Sequence, residues 1–110
     1  MKQYELWWAE LPEPIGTRPV LLLSRSGAYQ YLNRVLVVEV TTKVRMIPQE
    51  LVLGRREGMT RSCVANFDNL RAVPVSVLVE RIGALAAARI VEVKHALGHA
   101  VGWIELTTLA

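Results

Sequence analysis

Arg34-Val35-Leu36-Val37-Val38-Glu39-Val40-Thr41 is the densest β-branched run in this 110-residue chain. Branching at Cβ stiffens χ1 and suits a pleated, buried surface. Eight residues is a normal strand length, so the run predicts a strand. Upstream, Arg18-Pro19-Val20-Leu21-Leu22-Leu23-Ser24 is a short continuous apolar run after a loop, which reads as a buried strand. Tyr4 to Leu11 alternates in part, carries Trp7 and Trp8, and is stopped by Pro12 and Pro14. The connection from Ser24 to Leu32 has room for one helical turn. Downstream, Thr42 to Pro48 is a polar, basic loop. Glu50 to Gly54 is a short strand, ended by the charged turn Arg55-Arg56-Glu57-Gly58. Ser62 to Phe67 alternates again, and Asp68-Asn69 reads as a turn pair that closes it, with a brief extension over Leu70 to Val73. Pro74 interrupts the chain, Val75 to Leu78 suits a single helical turn, and Glu80 to Leu85 reads as the last strand.

Beyond that point the period changes. Ala86, Ile90, Val93 and Leu97 lie at helical spacing, with Ala100 and Val101 continuing the stripe and Arg89, Glu92, His95 and His99 opposite. This predicts an amphipathic helix from about Ala86 to Val101. Several short strands followed by one helix predict a mainly β (α+β) fold: a small twisted antiparallel sheet or barrel with a helix packed against it. The length fits one domain over residues 1–110.

Hydrophobic residues make up 52% of the chain, enough for a packed core and too many for a disordered tail. No apolar run reaches the roughly 18 residues of a membrane span, and Met1 to Leu6 lacks the pattern of a signal peptide. Cys63 is the only cysteine, so no internal disulfide can form. A reducing, cytoplasmic location is the expectation. Within its apolar strand pattern Cys63 reads as a buried side chain, not a nucleophile. The net charge of +3 is a mild preference for anionic partners and no more.

His95 and His99 stand four apart on one helical face, a spacing that can hold a metal, but a third ligand is lacking and a solvated face explains both. No zinc, calcium, P-loop or Ser-His-Asp pattern is present. What remains is a set of polar residues at strand ends. Arg18 opens one strand, Thr41 and Thr42 close another, Asp68 and Asn69 close a third, and Lys43, Arg45, Arg55 and Arg56 lie in the loops. Were these ends to converge, a guanidinium fork, a hydroxyl and a carboxylate would suit a phosphodiester.

The chain also resembles the MazF/PemK/Kid family of toxin endoribonucleases. The family's first strand has the form G-[DE]-[IL]-[WY]-x-[VA]-[DE]-[FL], matched by Tyr4-Glu5-Leu6-Trp7-Trp8-Ala9-Glu10-Leu11. Its Arg-Pro before an apolar strand is matched by Gly16-Thr17-Arg18-Pro19-Val20-Leu21-Leu22-Leu23-Ser24. A strand ending in Thr is matched by Val38-Glu39-Val40-Thr41-Thr42. The form D-x-V-x-x-x-[DE]-Q-[IV]-[RK]-x-[IV] is matched by Ser62 to Val73, and a C-terminal helix follows. The resemblance spans about residues 4 to 102.

The resemblance implies an SH3-like barrel-type fold shared with CcdB, a homodimer, metal-independent cleavage of single-stranded RNA, and a cognate antitoxin with a disordered acidic tail. It implies no cofactor. It places the catalytic arginine on Arg18, the threonine on Thr41 and the carboxylate on Asp68, with Thr17, Thr42, Lys43, Arg45, Asn66 and Asn69 as RNA-binding positions. Asn66 stands where some members carry a catalytic Arg, Asn69 where Gln is usual, and Ser62 where Asp is usual. These departures bear on the acid/base pair. Tyr29, Tyr31 and Phe67 are stacking candidates for bases, while Trp7 and Trp8 should point to opposite faces of their strand. Two other functions stay open on the same fold: a CcdB-like gyrase poison, for which Gly102-Trp103-Ile104 is a loose echo, and an RNA-binding module without nuclease activity.

Overall fold

A computed structural model describes residues 1–110. Its six strands are β1 (Glu5–Glu10), β2 (Thr17–Leu22), β3 (Arg34–Thr41), β4 (Glu50–Leu53), β5 (Cys63–Pro74) and β6 (Leu78–Ala84). They form one antiparallel sheet in the order β4-β5-β3-β2-β1-β6. Helix α1 (Ala28–Tyr31) connects β2 to β3, and α2 (Ile90–Val101) and α3 (Ile104–Thr107) end the chain. The mainly β fold with a C-terminal helix, expected from the order of elements, is what forms.

The run Arg34–Thr41 lies inside the sheet, between β2 and β5. Its two faces look into two separate cores. Val38 and Val40 pack with Leu6, Leu21 and Phe67 beneath Val93 and Ala96 of α2. Val35 and Val37 pack with Val20, Leu22, Tyr29 and Leu78 on the other side. Burial on both faces explains why this segment is a near-continuous apolar run instead of an alternating one. Each such fully buried Val or Leu contributes about 1.5–3 kcal/mol.

Strands β4 and β6 are the free edges of the sheet, and they are drawn toward each other by close backbone packing. The turn after β4, Arg55–Glu57, lies directly against β6. A Cβ on Gly83 would overlap the carbonyl oxygen of Glu57, so only glycine permits this approach. The sheet therefore curls in the manner of a barrel while its edges stay unpaired.

Three local expectations are corrected. Asp68 and Asn69 do not turn the chain; they lie within the twelve-residue strand β5. Pairing to β3 continues on both sides of them, Val40↔Ala65 before and Val38↔Leu70 after, and a register shift takes up the extra residues opposite Glu39. Such a bulge bends a strand and re-aims its side chains without ending it. The helix does not begin at Ala86, whose backbone is extended at φ −66° and ψ 146°; a 3₁₀ turn over Ala87–Arg89 leads into α2. Val101, placed on the apolar stripe, is exposed. Finally, α3 was not anticipated. It folds back on α2 at Gly98, where an added Cβ would stand 2.7 Å from Leu106 Cβ. No helix is long and apolar enough to cross a membrane.

Candidate functional site

One end of the sheet gathers most of the polar positions. The β2–β3 register pairs Val20 with Glu39. Two residues further along each strand, on the same face, come Arg18 and Thr41. On the far side of β3, Thr41 pairs with Val64 and Val37 with Arg71. The alternation of three adjacent strands thus puts Arg18, Glu39, Thr41 and Arg71 on one surface.

Glu39 is the centre of this surface. Arg71 Nη1 donates to Glu39 Oε2 at 3.1 Å. Arg18 Nη1 stands 3.9 Å from Glu39 Oε1, close enough for charge attraction and too far for a hydrogen bond. The Glu39 side chain is 13% exposed, against 36% for Arg18 and 32% for Arg71. The carboxylate is therefore covered, while both guanidiniums open to solvent. Within this trio two guanidiniums face one carboxylate, which leaves guanidinium N–H groups directed to solvent where an anion could meet them.

Thr41 Oγ1 accepts the backbone N–H of Lys43 at 3.1 Å, an arrangement that leaves its own hydroxyl proton free to donate. Thr17, Thr42, Lys43 and Arg45 are exposed beside this end. The loop carrying Lys43 and Arg45 is held by Glu50, whose carboxylate accepts N–H groups of Arg45 and Met46 at 2.9–3.1 Å. Asp68 and Asn69 are exposed on the β5 bulge opposite Glu39, and Asp68 makes no ion pair.

Other expected contacts are withdrawn by the packing. Asn66 is buried, and its Oδ1 accepts the Asp68 N–H at 2.9 Å; it shapes the bulge and is not offered to a ligand. Phe67 is in the first core and Tyr29 in the second, its hydroxyl donating to the Ser24 carbonyl at 2.9 Å, so neither can stack on a base. Burial and the Glu5 charge push the Tyr29 phenol up from its ordinary value. Tyr31 is 83% exposed and remains available. Trp8 is exposed and Trp7 half-buried, on opposite faces of β1. Trp8 lines a cleft of about 350 Å³ with Pro19, Thr41, Thr42, Arg61 and Ile82. His95 Nε2 lies 2.6 Å from the Leu109 carbonyl oxygen, tying α2 to the chain end. Cys63 is buried, and burial followed by the Glu57 charge pushes its thiol up, the opposite of what a nucleophile requires.

Glu39 and Arg71 escaped the reading of the sequence. The available signal was Glu39 itself, the one charged residue between Val35 and Val40, with the same parity as Thr41. Arg18 and Arg71 both fall on positions of the family forms, but that Glu39 joins them follows only from the sheet register.

Residues 2–101 match the family model described as PemK-like, MazF-like toxin of type II toxin–antitoxin systems. The chain is 42% identical over 98 residues to a Mycobacterium tuberculosis protein named probable endoribonuclease MazF5, covering 88% of this chain and 89% of that protein. It is 37% identical over 103 residues to probable endoribonuclease MazF2 of the same organism, covering 93% and 99% of the two. Among solved structures, Mycobacterium tuberculosis toxin MazF-mt6 superposes with a TM-score of 0.84 at 31% identity, over 89% of this chain and 96% of that one.

Proposed function

This chain belongs to the PemK-like, MazF-like toxin family of type II toxin–antitoxin systems, and from that premise we propose that it is an endoribonuclease whose cutting site is the surface shared by Arg18, Thr41 and Asp68. The substrate is single-stranded RNA, including messenger RNA, and its cleavage arrests translation and growth. The observation that carries the assignment of the site is the common face of Arg18 and Thr41 on neighbouring strands, with a half-exposed guanidinium beside a hydroxyl that accepts the Lys43 N–H and keeps its own proton free to donate.

The reaction uses the RNA 2′-hydroxyl as internal nucleophile. Its oxygen bonds to phosphorus as the bond to the 5′-oxygen breaks. The 2′-hydroxyl proton goes to a base and the 5′-oxygen gains one from an acid, leaving a 2′,3′-cyclic phosphate and a 5′-hydroxyl. Arg18 stabilises the charge that grows on the non-bridging oxygens, and Thr41 donates a hydrogen bond to them. Arginine, with its pKa above about 12, is a poor general base. Glu39 is engaged by two guanidiniums. Asp68, free of ion pairs on the bulge, is the carboxylate left to accept the proton. Such a route needs no metal and no protein nucleophile.

The family reading extends to the surroundings: a homodimer, a cognate antitoxin that covers the RNA surface, and action in the cytoplasm. Trp103 and Ile104 are exposed, as a gyrase-contacting end would need, but the relatives at 42% and 37% identity are named endoribonucleases. The test is incubation of the purified protein with mixed-sequence single-stranded RNA in EDTA, alongside Arg18→Ala and a DNA strand of the same sequence. Cleavage of RNA alone, lost in Arg18→Ala, supports the reading. Retention without cleavage points to a binding module, and unchanged cleavage by Arg18→Ala removes Arg18 from the site.

A further inference from the structure

From the contacts of Glu39 we infer that Arg71 is a second phosphate-binding guanidinium of the RNA-cutting site and that Glu39 is the positioning residue that holds it beside Arg18. This deepens the proposed function and rests on it. Arg71 sits on β5 and Arg18 on β2, with β3 between them. Strands two places apart lie roughly 10 Å from each other, so long side chains from both can meet only over the middle strand. Glu39, on that strand, is where they meet.

The hydrogen-bond inventory fits a clamp better than a ladder of structural ion pairs. A guanidinium carries five N–H donors. Arg71 gives one to Glu39, and the Arg18 side chain gives none. Most donors of both residues are thus uncommitted, on side chains about one-third exposed, around a carboxylate that is nearly covered. A pair of planar forks on one carboxylate is geometrically prepared for an anion carrying two non-bridging oxygens. A cleft of about 400 Å³, lined by Arg71, Arg34 and Glu10 among others, opens beside Arg71 and gives the RNA strand a way past it.

A purely structural role for the same contacts predicts a different response to salt. Each phosphate contact to a single strand contributes a slope of about −0.7 to log K against log salt concentration. The experiment measures binding of the full-length protein to a mixed-sequence oligoribonucleotide whose 2′-hydroxyls are replaced by fluorine, which binds without being cut, over a salt series. Cleavage of ordinary RNA is measured in parallel. Arg71→Ala and Arg18→Ala should each flatten the slope by about 0.7, and Arg71→Ala should lower kcat/KM by roughly 10²-fold. Glu39→Gln, which keeps both arginines, should retain the slope and bind as tightly or more tightly, while kcat falls by about 10²-fold because the forks are no longer aligned. Arg71→Gln serves if Arg71→Ala loses its circular-dichroism signature, since it keeps an amide beside Glu39 and removes only the charge.

An unchanged slope and unchanged cleavage in the Arg71 variants, with Arg18→Ala behaving as expected, would overturn the role of Arg71 and leave the endoribonuclease reading standing. Equal losses of binding and turnover in Glu39→Gln would overturn its positioning role. A wild-type protein that neither binds nor cuts the RNA would defeat the underlying reading itself, and this inference with it.

Discussion

Glu57 and Arg89 face each other at 3.2 Å between the turn after β4 and the start of α2, and the glutamate is almost wholly buried. The same carboxylate accepts the Gly54 N–H at 2.7 Å, while Arg89 also donates to the Val52 carbonyl at 2.7 Å and to Glu92 at 2.9 Å. One arginine therefore fastens the helix to an edge strand and to the turn that draws the sheet closed. Removing it would leave the covered Glu57 charge without its ion-pair partner. Arg89→Ala should cost on the order of 3 kcal/mol, as broken buried pairs do. Glu57→Gln in the same chain should restore part of the loss. Urea denaturation of the single and double variants measures both, and an Arg89→Ala chain of wild-type stability would mean that α2 is held by its apolar face alone.

Gly83 gives an independent check on sheet curvature. Its missing Cβ makes room for the Glu57 carbonyl. Gly83→Ala should destabilise the chain by about 1–3 kcal/mol, the usual range for overpacking. Gly27 has nothing within 4 Å of its Cβ position, so Gly27→Ala should stay within about 0.5 kcal/mol of wild type. Thermal melts of the pair would expose a wrong account of the closure if the two behaved alike.

Acid should weaken the fold partly through Glu5. Burial pushes its carboxyl up, but hydrogen bonds from Arg81, Trp7 and the Lys2 N–H outweigh burial and hold it below its ordinary value. The unfolded chain, with the group near about 4.3, then binds the proton more readily. The stabilisation is complete above that unfolded value and is lost as pH falls through the lower folded one. Hydrogen bonding from Arg89, against burial, lowers Glu92 as well and adds in the same direction. Denaturation at stepped pH should show the advantage of wild type over Glu5→Gln shrinking below about pH 4. A constant difference across that range would disprove the linkage.

Proton transfer is tested by comparing two carboxylates. Asp68→Asn should lower kcat by about 10²–10⁴ and remove the acid limb of the pH–rate profile, as loss of a general base does. Glu39→Gln should reduce the rate while keeping that limb. If Asp68→Asn retains a wild-type profile, the proton acceptor lies elsewhere on this surface.

Arg18→Ala should reduce cleavage by several orders of magnitude with the fold intact, since charge stabilisation in the transition state is the largest part of this chemistry. Single-turnover cleavage with a circular-dichroism control reads both halves of the expectation.

Much of this protein was legible in its residues, because side-chain period and chain-breaking residues act locally. The β-branched run from Arg34 to Thr41, the prolines after β1 and the change of period after Leu85 marked the strands and the closing helix without reference to one another. The resemblance also singled out Arg18 and Thr41 before their strands were paired. Asp68-Asn69 was misread for the complementary reason: a turn-forming pair follows its local preference unless a neighbouring strand overrides it, and β3 pairs on both sides of it. The same principle removed Tyr29, Phe67 and Asn66 from any RNA surface, since burial depends on the opposite layer and not on residue type. Only tertiary structure could join Arg71 to Arg18 through Glu39, because the contact spans three strands distant in sequence. Residue order decided which strands could form; sheet register decided which charges would meet.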